Sequence, residues 1–503
     1  MKPVTQVRIR NLNDDIAASI ARLKVDRSRI RASRAIVDKA LKDGKTYYSI
    51  NTGFGILANK RISDNELKKL QYNLLISHAV GVGELIPKDI SRLMLALKIH
   101  SLGLGYSGVS EKVFERLLFL LENDRIPAVP KKGSVGASGD LAPLAHMSLP
   151  VIGQGFFWDK DGKKTIPARK ALKEDGLKPI ELEPKDGLAL INGTQMMAAY
   201  GSYVLSKCVN LLKAADIISI ISLEAFRGSI KPFDPRIHQA RPHKGQIDVA
   251  GNVTKLLANS EILESHRYCN RVQDPYSLRC IPQVHGASRD SIDHCISVVD
   301  TENNSATDNP LTFENGDIIS GGNFHGQPLA LVLDFAAIAM AEMANISERR
   351  TYLLLKGGDG LPQLLMSETG INSGFMIPQY TAAALVAENK VLAHPASVDS
   401  IPTCVGQEDH VSMGSISAHK LLEVFRNVEL VLAIELITSA QALDFRDPLK
   451  PGDGVVASHK LIREHIPHLY EDSYFANLIA SALDLIQSGK LVAAVEAKCG
   501  ELK

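Results

Sequence analysis

Three long apolar runs at helical spacing leave this chain little choice of architecture. The first, YVLSKCVNLLKAADIISIISLEAF, starts at Tyr203; the second opens at Pro328, continues LALVLDFAAIAMAEMANISERRTYLLL and is stopped by Gly357; the third begins near Ser415 and carries Glu423, Glu429 and Glu435 among Leu, Val and Ile. Their 3.6-residue period predicts helices, and proline at the start with glycine past the end is the expected asymmetry. All three exceed the about 10–14 residues of an average globular helix, so they predict a bundle whose helices bury more than one face. The first 200 residues differ: short helical patterns alternate with the Gly- and Pro-rich turns NTGFG from Asn51, GVGELIPKD from Gly81 and IPAVPKKGSVGASG from Ile126. The expectation is a mainly α fold, with residues 1–200 as a smaller N-terminal lobe and residues 201–503 as a long-helix bundle with C-terminal helices.

Composition narrows the function classes. At 503 residues the chain can bury a sizeable core, and 57 basic against 56 acidic side chains give a net charge of +1, without the field that gathers nucleic acid or acidic lipid. The basic stretch RIHQARPHKG from Arg236 reads as a solvated loop. Charges interrupt the long apolar runs, and MKPVTQVRIRNLNDD has no apolar stretch to act as a leader, so no membrane association is expected. Cysteines 208, 269, 280, 295, 404 and 499 show no CxxC spacing, which fits a reducing, cytoplasmic setting, where the sequon at Asn192 carries no sugar. No metal site is expected: the fifteen histidines include no HExxH, and Pro467 breaks the spacing of His465 and His468. GxSxG and GxxxxGK[ST] are missing, so ordinary acyl and phosphoryl transfer lack their parts.

One stretch suggests other chemistry. In GSVGASGDLAPLAH, residues 133–146, small residues surround Ser138 just before a helical pattern. An amide nitrogen attacks the carbonyl two residues back only where side chains are small and the backbone bends tightly. Gly139 would supply the nitrogen and Ala137 the carbonyl. Loss of one water closes a five-membered ring, and loss of the Ser138 hydroxyl as a second water leaves a methylene conjugated to a carbonyl, a strong electrophile. The helix start after it favours negative charge developing on such a ring. By itself the tripeptide reads more commonly as a glycine-rich turn before a helix.

With its neighbours, the stretch resembles the signature of the aromatic amino acid ammonia-lyase and aminomutase family, whose Ala-Ser-Gly forms a methylidene-imidazolone. YSINTGFG from Tyr48, LALINGTQ from Leu188, QDPYSLRC from Gln273, NSATDNPL from Asn304, GGNFHG from Gly321 and QEDHVSMG from Gln407 are similar to the family's segments, in order, across residues 44 to 445. The resemblance implies a 4-methylidene-imidazol-5-one formed autocatalytically from Ala137, Ser138 and Gly139, no external cofactor, and a homotetramer with shared active sites. Ser77-His78 resembles the pair in histidine-deaminating and some tyrosine-deaminating members. Glu408 stands where phenylalanine and tyrosine enzymes usually have glutamine. Together they imply L-histidine as substrate and trans-urocanate and ammonia as products.

The resemblance also assigns roles. The substrate amine adds to the methylene from Ser138. Tyr48 is the first choice as base for the β-proton, although its ordinary pKa of about 10 demands a positive field or hydrogen bonds; a packed loop tyrosine is its other reading. Arg279 would hold the substrate carboxylate with Asn192 as second donor, unless Asp274-Pro275 caps a helix that Arg279 merely decorates. His78 would meet the imidazole, against the alternative of a structural histidine. Glu408 would position the amine or imidazole or take a proton, and is otherwise a solvated acid beside Asp409. Gln273, Tyr276 and Phe324 would line the ring or substrate. Gln327, His285 and the Cys404-Val405-Gly406 stretch depart from the common pattern. The rivals are a tyrosine or phenylalanine ammonia-lyase or aminomutase, an enzyme removing trimethylamine from a histidine betaine, and an inactive helical scaffold.

Overall fold

The computed structural model describes residues 5–43, 47, 50–52, 62–63 and 66–503. Among the described residues there are twenty α-helices and six strands, none of them longer than four residues. The fold is mainly α. The strands form three separate antiparallel pairs, of which Val82–Leu85 with Pro130–Lys132 matters most, because Lys132 leads straight into the glycine-rich stretch.

The three long runs are helices: Gln195–Phe226, Gln327–Leu355 and Gly414–Asp444. The second and third begin within a residue of Pro328 and Ser415. The first begins eight residues before Tyr203, because the Asp140 carboxylate accepts hydrogen bonds from the amides of Met196 and Met197 and satisfies donors that a helix start leaves open. Gln327–Leu355 is long and apolar enough to cross a membrane by composition, but 67% of its most apolar stretch is buried within the protein. The basic stretch from Arg236 is not a loop. Pro235–Ala240 and Lys244–Leu256 are helices, the first started by the Asp234 carboxylate on Arg236 N, and His238 is buried. A local cap and one inward histidine override the run of charge.

The chain divides into two compact units, each discontinuous in sequence. One comprises Met1–Ser206, Cys295–Asp334 and Pro395–His419; the other comprises Lys207–His294, Phe335–His394 and Lys420–Lys503. In the first, the Lys88–Gly103 helix is buried along almost its whole length, which puts the ammonium of Lys98 in the interior. In the second, four long helices meet at a buried charged node. Arg350 forms a two-pronged pair with Glu435 at 2.6 and 2.9 Å, and Ser222 donates to the same carboxylate at 2.7 Å. An Arg350 N–H donates to His285 Nε2 at 3.3 Å, so His285 Nδ1 carries the proton it donates to Asp216 at 2.8 Å. Arg289 and Asn252 complete the shell of Asp216, both at 2.9 Å. This is what the histidine of PQVHGA does: it joins two ion pairs in its neutral form.

Candidate active site

Backbone geometry at Ala137-Ser138-Gly139 is unusual. Ser138 has φ 47° and Gly139 φ 81°, two successive left-handed residues that turn the chain sharply before the Leu141–Ser148 helix. Gly139 faces Gly193: Asp140 N donates to Gly193 O at 2.8 Å and Gly193 N to Ser138 O at 3.4 Å. A Cβ on Gly139 would lie 2.1 Å from Gly193 O and 2.9 Å from Phe324 O, so only glycine fits. Small size, a tight bend and a helix start are what an internal ring built from these three residues requires, and the residues fit that group.

Neighbouring segments converge on the turn. Asn192 is buried; its Nδ2 donates to Asn309 O at 2.8 Å, and its main-chain oxygen accepts from Lys98 Nζ at 2.6 Å. The buried Asn192 also offers no surface for a sugar. Phe324 meets Gly139 through its carbonyl rather than its ring. Met413 N donates to Val135 O and Ser415 Oγ to Ser134 O, which ties the segment after Glu408 to the turn. Gly81 N donates to His146 Nε2, which ties the chain just past His78 to the helix just past the turn.

His78 is the last residue of the Leu67–His78 helix, and its Nδ1 lies 3.0 Å from Ser77 Oγ. Burial pushes its pKa down, opposed by the Leu74 carbonyl and by the charge of Glu408. His78 and Glu408, 330 positions apart in sequence, therefore sense each other in the folded chain. Glu408 accepts from the Thr403 hydroxyl at 2.7 Å. Beneath the turn, burial raises Asp140 to about 7, opposed by the amides of Met197 and Met196. Burial lowers Lys98 to about 7, opposed by the charge of Asp308. Asp308 itself is paired with buried Lys185 at 2.7 Å.

The other unit carries Gln273, Tyr276 and Arg279. Tyr276–Arg279 is a single helical turn, with the Arg279 guanidinium 4.5 Å from the centre of the Tyr276 ring. Arg279 has no carboxylate partner among the described residues, and its buried Nε is unpaired. Asp274 does not cap this turn; its carboxylate accepts from Ser229 N at 2.6 Å, so the capping alternative is set aside. Gln273 is exposed, and Tyr276 is 71% exposed. Tyr48 lies outside the described residues.

Lys98, Asp140 and Thr403 escaped the sequence-based site. Lys98 sits in LMLALKIHSLGL, where one lysine in an apolar run reads as the solvated edge of a helix. Asp140 follows Gly139 directly, and adjacency to the turn was its available signal. His325 and His410, stacked at 5.7 Å between ring centres, were likewise unmarked. Gln327 donates through Nε2 to Ser397 O at 3.4 Å, which an ionised glutamate there could not do. Among the described residues, no group of three or more His, Cys, Asp or Glu side chains is placed to hold a metal ion.

A mainly helical fold with a left-handed Ala-Ser-Gly turn against a buried asparagine fits the class of carbon–nitrogen lyases that comparison with known proteins identifies. The chain belongs to the aromatic amino acid lyase family, whose model matches residues 9–464. It is 52% identical over 487 residues to histidine ammonia-lyase of Sorangium cellulosum, covering 95% of this chain and 94% of that one. Among solved structures, histidine ammonia-lyase of Trypanosoma cruzi superposes with a TM-score of 0.87 at 41% identity, over 94% of this chain and 90% of that one. Tyrosine aminomutase of Streptomyces globisporus gives 0.89 at 35% identity, over 97% and 98%. The fold is shared by lyase and mutase, so substrate choice lies in side chains.

Proposed function

We propose that this chain is a histidine ammonia-lyase, eliminating ammonia from L-histidine to give trans-urocanate, the first step of histidine degradation. The observation that carries this reading is that the segments bearing His78 and Glu408 are both hydrogen-bonded to the Ala137-Ser138-Gly139 turn and its helix, through Gly81 to His146 and through Met413 to Val135. A histidine and an acid suit a polar imidazole, and a phenyl ring would leave both unpaired. The identity of about one half to a histidine ammonia-lyase supports the same substrate.

The methylidene-imidazolone formed from Ala137, Ser138 and Gly139 supplies an electrophilic carbon to which an amine can add; no external cofactor is needed. Arg279 binds the substrate carboxylate, assisted by the second N–H of Asn192. With Nδ1 of His78 engaged by Ser77, recognition of the imidazole falls to Nε2. Glu408 orients the amine or the imidazole. Tyr48 takes the β-proton, or Glu408 does, and Tyr48→Phe separates the two. Gln273, Tyr276 and the Phe324 segment line the site.

The enzyme works as a homotetramer with active sites shared between subunits. Leu331, Phe335 and Ile338 are exposed at four- and three-residue spacing on one long helix, and exposed Tyr276 is a poor wall for a dry site until something covers it. It is a soluble cytoplasmic protein with no nucleic-acid or membrane partner. The direct test is incubation with histidine, tyrosine or phenylalanine, together with intact mass. Urocanate from histidine alone, and a deficit of two waters, about 36 Da, are expected. Coumarate or a β-amino acid as product would overturn the substrate, and a full-mass active protein would overturn the electrophile. Tyr48→Phe is expected to keep the deficit and lose turnover; full activity would give the proton to Glu408.

A further inference from the structure

Among the described residues, Glu408 is held by a closed turn and has no ion-pair partner. Thr403 N donates to Glu408 O at 2.9 Å, Glu408 N donates to Thr403 O at 3.3 Å, and the Thr403 hydroxyl donates to Glu408 Oε2 at 2.7 Å. Between them lie the atypical Cys404-Val405-Gly406 stretch, with φ of 50°, 55° and 88°, and Gln407. A β-branched valine in the left-handed region is an outlier with a real cost. Val405 is 90% exposed, so no burial offsets that cost. What the conformation achieves is closure of the turn on Glu408.

We infer that Thr403 is a positioning residue for the lyase reaction, holding the Glu408 side chain aimed at the bound amino acid. The inference rests on the proposed reading that Glu408 meets the substrate. A hydroxyl suits this task better than a cation. Lysine or arginine in its place would neutralise Glu408 and repel the substrate ammonium, whereas a neutral donor stabilises the carboxylate and leaves its charge available. Burial of His78, the last residue of the Leu67–His78 helix, is opposed in part by the charge of Glu408, and Asp409 and His410 follow Glu408 on its own segment. Because burial depresses His78, its ring adds little positive charge at neutral pH.

The test compares Thr403→Val and Thr403→Ser in the full chain by kcat and KM on L-histidine and by intact mass. Thr403→Val is expected to lower kcat/KM about tenfold. Thr403→Ser keeps the donor and should restore kcat/KM to within about twofold of the parent, and both should retain the two-water deficit. A Thr403→Val protein with unchanged kcat/KM, or a Thr403→Ser protein as impaired as Thr403→Val, overturns the inference. So does a Thr403→Val protein that loses the deficit, because the turn would then serve the Ala137-Ser138-Gly139 loop instead. Should the parent fail to deaminate histidine, the substrate reading falls, and the same two variants are compared on whichever of tyrosine or phenylalanine it deaminates.

Discussion

Two buried clusters of charge in this molecule are built on opposite plans. Around His285, each charge has its counterpart: Arg350 with Glu435, and Arg289 with Asp216, with a neutral imidazole between them. Burial opposes ionisation of Asp216, yet Arg289, His285 and Asn252 together hold it below the usual carboxylate range. Beneath the Ala-Ser-Gly turn Lys185 and Asp308 are paired, but among the described residues Lys98 and Asp140 have no ion-pair partner. Lys98 donates to a neutral carbonyl, Asp140 accepts from two backbone amides, and its Oδ1 is buried without a hydrogen-bond partner. Matched charges hold helices together, whereas unmatched ones keep a field directed at a site. Burial and charge are common to both clusters; the ion pairs at Asp216 and Glu435 are what Lys98 and Asp140 lack among the described residues.

The largest expected difference between the two comes from Ser138→Ala. It should abolish both the two-water deficit and turnover, the latter by about a thousandfold or more, while urea unfolding changes little. A fully active variant would break the contrast at its functional end. Next comes Arg350→Met, which strands Glu435 in the core. A loss of about 3–5 kcal/mol in denaturant unfolding is expected, with the mass deficit intact in the fraction that folds. Asp140→Ala is smaller in stability, about 1–3 kcal/mol from two amides left unpaired at the Gln195–Phe226 helix start, but it should also reduce the fraction of chains showing the deficit. An Asp140→Ala protein with complete deficit would place Asp140 with the scaffold.

The smallest effect sharpens the scaffold side. Burial depresses the pKa of His285 below its usual 6.5, so the unfolded chain binds the extra proton first and stability falls as pH drops below about 6.5. Glutamine can donate to Asp216 and accept from Arg350 without titrating. His285→Gln should therefore match the parent within about 1 kcal/mol at pH 7.5 and unfold less steeply with acid. Equal acid slopes for the two proteins would remove His285 from the titration.

Much of this was legible in the sequence because it depends on local signals. Helix ends at Pro328 and Ser415 follow from a proline or from the return of periodicity. The start at Gln195 was not legible, since it is set by Asp140 from a distant segment. The Ala137-Ser138-Gly139 turn stood out because small residues in a row are a local pattern, and the burial of Asn192 and the tie of the Met413 segment to the turn emerged only on folding. Lys98 and Thr403 carry no local mark, and the left-handed path through Cys404 and Val405 contradicts what those residue types prefer. The basic stretch from Arg236 misled because charge hid a cap.

The contact of Gly139 with Gly193 and Phe324 has a consequence in time. Three segments far apart in sequence lie against one another at Gly139, and on the proposed chemistry they must do so before the ring closes. On the proposed chemistry the loss of water is irreversible, so each chain carries a lasting memory of having folded. A chain denatured later keeps the lighter mass, whereas one that never reached this arrangement keeps the full mass. Weighing a sample therefore counts how many of its molecules have ever been native, whatever their state when weighed.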